Sequence, residues 1–578
     1  MSDWEGCAMH DLVIKGATIV DGTGADAYTG DVAVDGGVIS SVGSNAGAAK
    51  REIAADGAMV SPGWVDVHTH YDGQVTWDPI VGPSSWHGVT SIVMGNCGVG
   101  FAPVKPTDHN MLIELMEGVE DIPGAALHEG VPWGWESFPE FMDALEKMPR
   151  VIDVATQVPH NPVRAYVMGE DAATDRPSTQ DERDQMAAIV AEGMASGALG
   201  FTSSRTKFHR TSTGEHVPSH FAELDEMRTI VQSLKKHGDG VIGLLCDFDE
   251  PEEDIAGFRQ LAVESGRPLY YLLVQFDEHP DRWRKVLQLS RPGPDGADIY
   301  PQVCPRPVGF FLGLECTFNP FVTRSAYREI ADLPLAERVA RMRDPEVRRR
   351  IIDQKREHKS NLMQQVTKGF EKMFRLGDPP NYEPAEEDSI VSISRREGRD
   401  PEEVAYDILL ERDGHELIFL PFTNYTDRNH EVILEMLRDD QTLFGLGDGG
   451  AHCGLICDAT IPTYLLTHWV RDRKRGERLP LEWIVKRQTG DNSKFFGLHD
   501  RGVLAPGLKA DINVIDLGRL NLKPPHIVHD LPAGGRRLVQ EADGYIATVQ
   551  SGTVTFEEGV HTGEMPGKLI RGRQKVAA

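Results

Sequence analysis

The chain has 578 residues, 40% of them hydrophobic and 26% charged, with a formal net charge of -29. That length accommodates one large catalytic unit and a smaller one, and the composition is that of a globular rather than a disordered chain. The acidic balance argues against nucleic acid as a partner, because phosphate binding needs a basic face.

No apolar run reaches the roughly 18 residues that would span a membrane. The start, Met-Ser-Asp-Trp-Glu-Gly, lacks the basic and apolar segments of a secretory signal. Seven cysteines (Cys7, Cys97, Cys246, Cys304, Cys316, Cys453, Cys457) show no paired framework, the pattern of reduced thiols in a cytoplasm.

In chain order, residues 11–43 are read as short strands, with a hairpin at Asp35-Gly36-Gly37. The same texture returns after Gly507, in 510–516 and 546–556. Neither half buries a core alone, so residues 1–62 and 500–578 are expected to pair into one composite β-sandwich unit. Between them strands and helices alternate, as in parallel α/β folds. Strands are expected at 64–68, 91–95, 153–158, 199–203, 241–246, 269–276, 299–304 and 443–448, with helices such as 185–196 and 223–236 between them. Eight such strands within 63–499 predict a (β/α)8 TIM-like barrel whose active site lies at the carboxyl strand ends. The segment 416–422 is a further strand candidate. Residues 325–415 break this rhythm and are read as a helical insertion, either a solvated excursion or a lid.

Chemistry concentrates at strand ends. His68 and His70, two apart on the first strand, face one side and suit either a metal grip or an uncommitted pair at a loop mouth. Cys97 lies in the Gly-rich turn Gly95-Asn96-Cys97-Gly98 after the second strand, and His160 follows the third. Asp448 sits in the turn Asp448-Gly449-Gly450-Ala451-His452 after the last.

Together Pro62-Gly-Trp-Val-Asp-Val-His-Thr-His-Tyr-Asp72, Gly95-Asn-Cys-Gly98, Gly447-Asp-Gly-Gly450 and Gly502-Val-Leu-Ala-Pro-Gly-Leu-Lys-Ala-Asp511 resemble the amidohydrolase superfamily, and within it the N-acyl-D-amino-acid deacylase family. The resemblance covers nearly the whole chain. It implies that His68, His70 and Cys97 ligate zinc, and that Asp448 both touches the metal and acts as general base. The implied reaction is hydrolysis of a linear amide in an N-acyl amino acid. His160 is read as an oxyanion donor or a structural histidine.

The chain departs from that family where the fifth and sixth strands should each end in histidine. Here those ends read Cys246-Asp247 and Gln275-Phe276-Asp277. One zinc is therefore expected, and a second site is either missing or rebuilt from other groups. His209, in the His-rich loop after the fourth strand, is a candidate to reach metal or substrate. Arg306 and Arg205 are candidate clamps for a substrate carboxylate, or structural arginines. The expected partner is a small-molecule amide, with homo-oligomerisation left open. Alternative readings are a cyclic amide, lactone or ester hydrolase on the same site, and a non-catalytic binding protein. Cys453–Cys457 is read as the start of the helix after the last strand, and His468 and Arg471 as structural.

Overall fold

The computed structural model describes residues 9–354 and 361–576. Cys7 with the other residues of 1–8, residues 577–578 and residues 355–360 of the expected insertion lie outside the described residues. Among the described residues no helix is long and apolar enough to cross a membrane.

One sheet is built from both ends of the chain. His10–Ile19 runs antiparallel to Tyr28–Asp35 with an irregularity between Ile14 and Ala17, so two expected short strands are one bulged strand. Tyr28–Asp35 returns as Val38–Gly43 through Gly36 and Gly37, whose φ values of 57° and 83° suit a mirror-image two-residue turn. Met59–Pro62 pairs antiparallel with Ile512–Ile515, which pairs in turn with Tyr545–Gln550. The result is a single nine-stranded sheet. Leu12 and Ile14, Val32 and Val34, and Ile512 and Val514 alternate onto one buried face, so each terminus supplies half of a shared core.

The eight strands expected between the termini are all present and all pair in parallel. Trp64–Asp66, Val89–Met94 and Asp153–Thr156 form a three-stranded sheet. Val158–Pro159, Gly200–Ser204, Val241–Leu245, Leu269–Leu272, Ile299–Val303 and Leu443–Phe444 form a six-stranded one. Residues 153–159 contribute to both, and a parallel bridge from Thr69 to Gly449 links the first strand's end to the last's. Helices Gln180–Ala195 and Leu224–His237 provide crossovers. The last strand stops at Phe444 because Leu446 and Asp448 adopt left-handed φ of 62° and 40°, which a ladder does not accept.

Residues 418–421 are also a strand, but they pair antiparallel with Gly309–Leu312 and Phe374–Arg375 in a separate sheet. This sheet and the short helices of the insertion share their own core, including Phe321, Tyr327, Met342, Ile351, Tyr406 and Leu409. The charged start of this insertion forms two helices, Leu335–Met342 and Pro345–Asp353. Pro345 opens Pro345–Asp353, and Asp344 caps it by accepting from the backbone N–H groups of Glu346 and Val347. Lys372 reaches from this segment to both carboxylate oxygens of Asp277, at 2.8 and 2.7 Å.

The Gly502–Asp511 stretch ties the terminal sheet to the third parallel strand. Arg501 donates to Asp153 (2.6 Å) and Ser91 (2.8 Å), and Lys509 pairs with both Asp153 and Asp511. The backbone N–H of Lys568 also donates to Asp153 (2.8 Å), and Leu569 bridges Val154 in parallel. Burial pushes the Asp153 carboxyl up, but Lys509 and then Arg501 outweigh it and hold the pKa at about 2, below its ordinary 3.8. A depressed carboxylate stabilises the fold above about pH 4 and loses that contribution as pH falls toward 2. The loss should amount to about 2 kcal/mol over that window. Urea midpoints at pH 7 and pH 2.5 check it: the fall should be shallower in Asp153→Asn than in the native protein, and equal falls would contradict it.

Candidate metal centre and active site

Two left-handed turns aim the key side chains. Cys97 has φ 53° between Gly95 and Gly98, both also at positive φ. A Cβ at Gly95 would lie 2.4 Å from the carbonyl oxygen of Gln157, so only glycine fits there. Asn96 pins the turn by donating to the carbonyl oxygens of Thr69 and Val93. The Asp448 turn is sewn to the first strand's end: Asp448 N–H donates to His68 O (3.0 Å) and His70 N–H to Gly449 O (2.8 Å).

His68, His70 and Cys97 each offer one donor atom, and these lie within 4.8 Å of one another. The Nδ1–H of His68 donates to Gln302 Oε1 (2.7 Å), which leaves Nε2 as the free lone pair. That Nε2 is 3.4 Å from Cys97 Sγ and 3.6 Å from Asp448 Oδ1, and His70 Nε2 is 3.7 Å from the same Oδ1. Ligands 2.0–2.3 Å from a tetrahedral zinc stand roughly 3.3–3.8 Å apart, so these separations suit one ion. Burial, with smaller contributions from neighbouring groups, pushes His68 down to about 4 and His70 well below its ordinary value, so both imidazoles are neutral and fit to ligate. Burial first, then neighbouring acids, pushes Cys97, Glu120 and Asp448 well up. A pocket that gathers four acidic groups, Asp72 among them at about 7, fits a divalent cation by its chemistry.

Two further members were not foreseen. Glu120 ends the helix His109–Glu120, with Oε1 3.4 Å from His70 Nδ1 and Oε2 3.6 Å from His452 Nε2. His70 Nδ1 is otherwise an unsatisfied buried atom. His452 lies four residues past Asp448 in the same turn, a proximity that could have drawn it in. Glu120 sits 23 residues beyond Cys97 on a helix, and no spacing marked it. His209 is not one of the three clustered ligands: burial, then His452 and His68, push it down to about 3, and its Nδ1 lies 2.9 Å from Ser204 Oγ.

The other candidates lie elsewhere. His160 is fully buried in His160–Met168, with Nδ1 2.8 Å from Ser203 Oγ and Nε2 3.0 Å from Glu226, so both ring nitrogens face protein partners rather than a reacting carbonyl. Arg306 is 1% exposed. Its guanidinium donates to Asp458 (3.0 Å from Nε), Thr460 and the carbonyl of Cys457, and lies 4.2 Å over the Tyr382 ring. It is a structural arginine and is not free to clamp a substrate. Arg205 is exposed, and its charge acts on Asp254 and Cys246. At the strand ends lacking histidine, Gln275 bonds to the loop 424–426 and Pro280, and Asp247 accepts from Thr206 and Lys207. Cys453–Cys457 is a turn, whose carbonyls accept from Leu538, Thr317 and Phe311, and helix begins only at Asp458. A second cluster, Glu383, His430 and His468, is already neutralised by Arg473 at 3.0 and 3.1 Å and works as a clamp between the insertion and the helix after the last strand.

Residues 51–556 match the model of the amidohydrolase family. The chain belongs to that family. As an amidohydrolase it hydrolyses carbon–nitrogen bonds other than peptide bonds. It is 24% identical over 98% of its length to an uncharacterized protein of Mycobacterium bovis, covering 94% of that protein. It is 30% identical to the D-aminoacylase of Alcaligenes xylosoxydans xylosoxydans, over 39% of this chain and 43% of that one. Among solved structures it resembles N-acyl-D-glutamate deacylase from Bordetella bronchiseptica, complexed with zinc and a phosphonate inhibitor. That likeness has a TM-score of 0.64 and 20% identity, covers 98% of this chain and 100% of that one, and speaks for the fold alone.

Proposed function

We propose that this amidohydrolase cleaves the linear amide of an N-acyl amino acid on a single zinc held by His68, His70 and Cys97, with Asp448 as general base. The eight parallel strands are taken as one (β/α)8 barrel, closed through the Thr69–Gly449 bridge, with its site at the carboxyl ends. The observation that carries the reading is the placement of Asp448 Oδ1 3.6 and 3.7 Å from the free nitrogens of two neutral imidazoles. An ion held there supplies Lewis acidity and lowers the pKa of a water to about 7. Asp448 is placed to accept a proton from the attacking water and return it to the leaving amine. Glu120 orients His70 from behind, through Nδ1. We assign donation to the carbonyl oxygen to His209 rather than His160, because both ring nitrogens of His160 already face Ser203 and Glu226. The partial match to D-aminoacylase supports the N-acyl amino acid as substrate.

Metal analysis of protein purified without chelator should find about one zinc per chain, and dialysis against a strong chelator should abolish turnover until zinc is restored. Undiminished activity in metal-free protein would overturn the reading. A panel of N-acyl amino acids of both hands, cyclic imides and lactones separates linear from cyclic substrates.

A further inference from the structure

A cavity of about 200 Å³ opens beside the metal cluster, at the carboxyl ends of the fourth to seventh parallel strands. His209, on the loop after the fourth strand, forms part of its wall, and Leu446 lines it two residues before Asp448. Its body is apolar: Leu272, Leu273, Val274, Val308 and Trp283 line it where the fifth and sixth strand ends carry no histidine. At its mouth Phe208 and Phe276 stack at 5.7 Å between centroids and 13° between planes, with Phe422 edge-on to both. Phe208 is 61% exposed, a large aromatic surface left in water at the entrance of an apolar hole.

Arg282, the arginine on this wall, is already paired, donating to Asp247 O (3.1 Å) and to Asp249 (3.3 Å). The cavity therefore suits a neutral group rather than the carboxylate end of a substrate. Its volume exceeds the roughly 150 Å³ that admits a benzene ring.

We propose that this cavity is the acyl subsite, and that the enzyme selects amides whose acyl group is a medium-length alkyl chain or an arylalkyl group over N-acetyl and N-formyl compounds. The inference rests on the hydrolytic reading above only for the position of the scissile bond. A chain running from that bond past His209 into the cavity removes its methylenes from water, each worth roughly fourfold in selectivity until the space is filled.

The test compares kcat/KM for N-acetyl, N-butyryl, N-hexanoyl and N-phenylacetyl derivatives of one amino acid, in the native enzyme and in Val308→Trp, which fills the cavity. Alongside it, calorimetry measures binding of acetate, hexanoate and phenylacetate to the zinc-loaded protein. The hexanoyl-to-acetyl ratio should be at least tenfold in the native enzyme and fall to near one in Val308→Trp. A flat profile, or a ratio that the variant leaves unchanged, overturns the subsite while leaving hydrolysis intact. If no amide is turned over, yet hexanoate binds at least tenfold tighter than acetate in the native protein and not in the variant, the subsite stands and the hydrolytic reading falls. Equal binding of the two acids with no turnover removes both. Val274→Phe, after the sixth parallel strand, replaces Val308→Trp if that variant does not fold.

Discussion

Asp448→Asn is expected to lower kcat about a thousandfold, within the 10²–10⁴ range of a positioned general base, while zinc content stays near the native value. The substitution keeps the shape of the side chain and an oxygen where Oδ1 stands beside His68 and His70, so the metal loses one weak ligand at most. It removes the proton acceptor. Burial, then Asp458 and Asp66, push the Asp448 carboxyl up, so it is a bound cation that would hold it ionised and able to accept a proton. Turnover and metal content should be read on the same preparation. Activity within tenfold of native would remove Asp448 as the base, and loss of zinc together with activity would make it chiefly a ligand. His68→Ala provides the contrast, because it should lose both.

Arg306→Met should be the most destabilising single change outside the metal site, costing about 3–5 kcal/mol. Burial opposes the charge of Arg306, but Asp458 outweighs it and holds its pKa above the ordinary value. Without the guanidinium, Asp458 is left as a lone buried carboxylate and Tyr382 loses the cation over its ring. The urea midpoint reads the effect. Arg306→Met/Asp458→Leu should recover more than half the loss, since replacing both partners by apolar groups removes the unpaired charge. A single variant within 1 kcal/mol of native would show that the pair contributes little.

Much of this was legible in the sequence because strand ends are local features. The His68-Thr-His70 alternation, the glycines around Cys97 and those around Asp448 each encode a side-chain direction within a few residues. The helix-borne and distant groups were not legible. Glu120 reaches His70 across a fold-level contact, and Gln302 fixes the His68 tautomer from 234 residues away. Arg306 looked like a clamp because Cys304-Pro-Arg-Pro stands at a strand end. Its partners, Tyr382 and Asp458, come from the insertion and from beyond the last strand, and only the folded chain shows the side chain turned toward them. The segment 416–422 has strand composition, yet strand composition does not name a partner, and it found an antiparallel one.

The hold of residues 566–576 on the third parallel strand bears on how the protein is made. Asp153 is completed by the backbone of Lys568, which leaves the ribosome 415 residues later. Arg501 and Lys509 also emerge long after the catalytic segment. Until residue 501 has emerged the base of the third strand therefore carries a buried-to-be carboxylate with none of these three partners, and the set is complete only when Lys568 is made. Removal of residues 566–576 is accordingly an injury to the interior of the catalytic unit, not the trimming of a loose end.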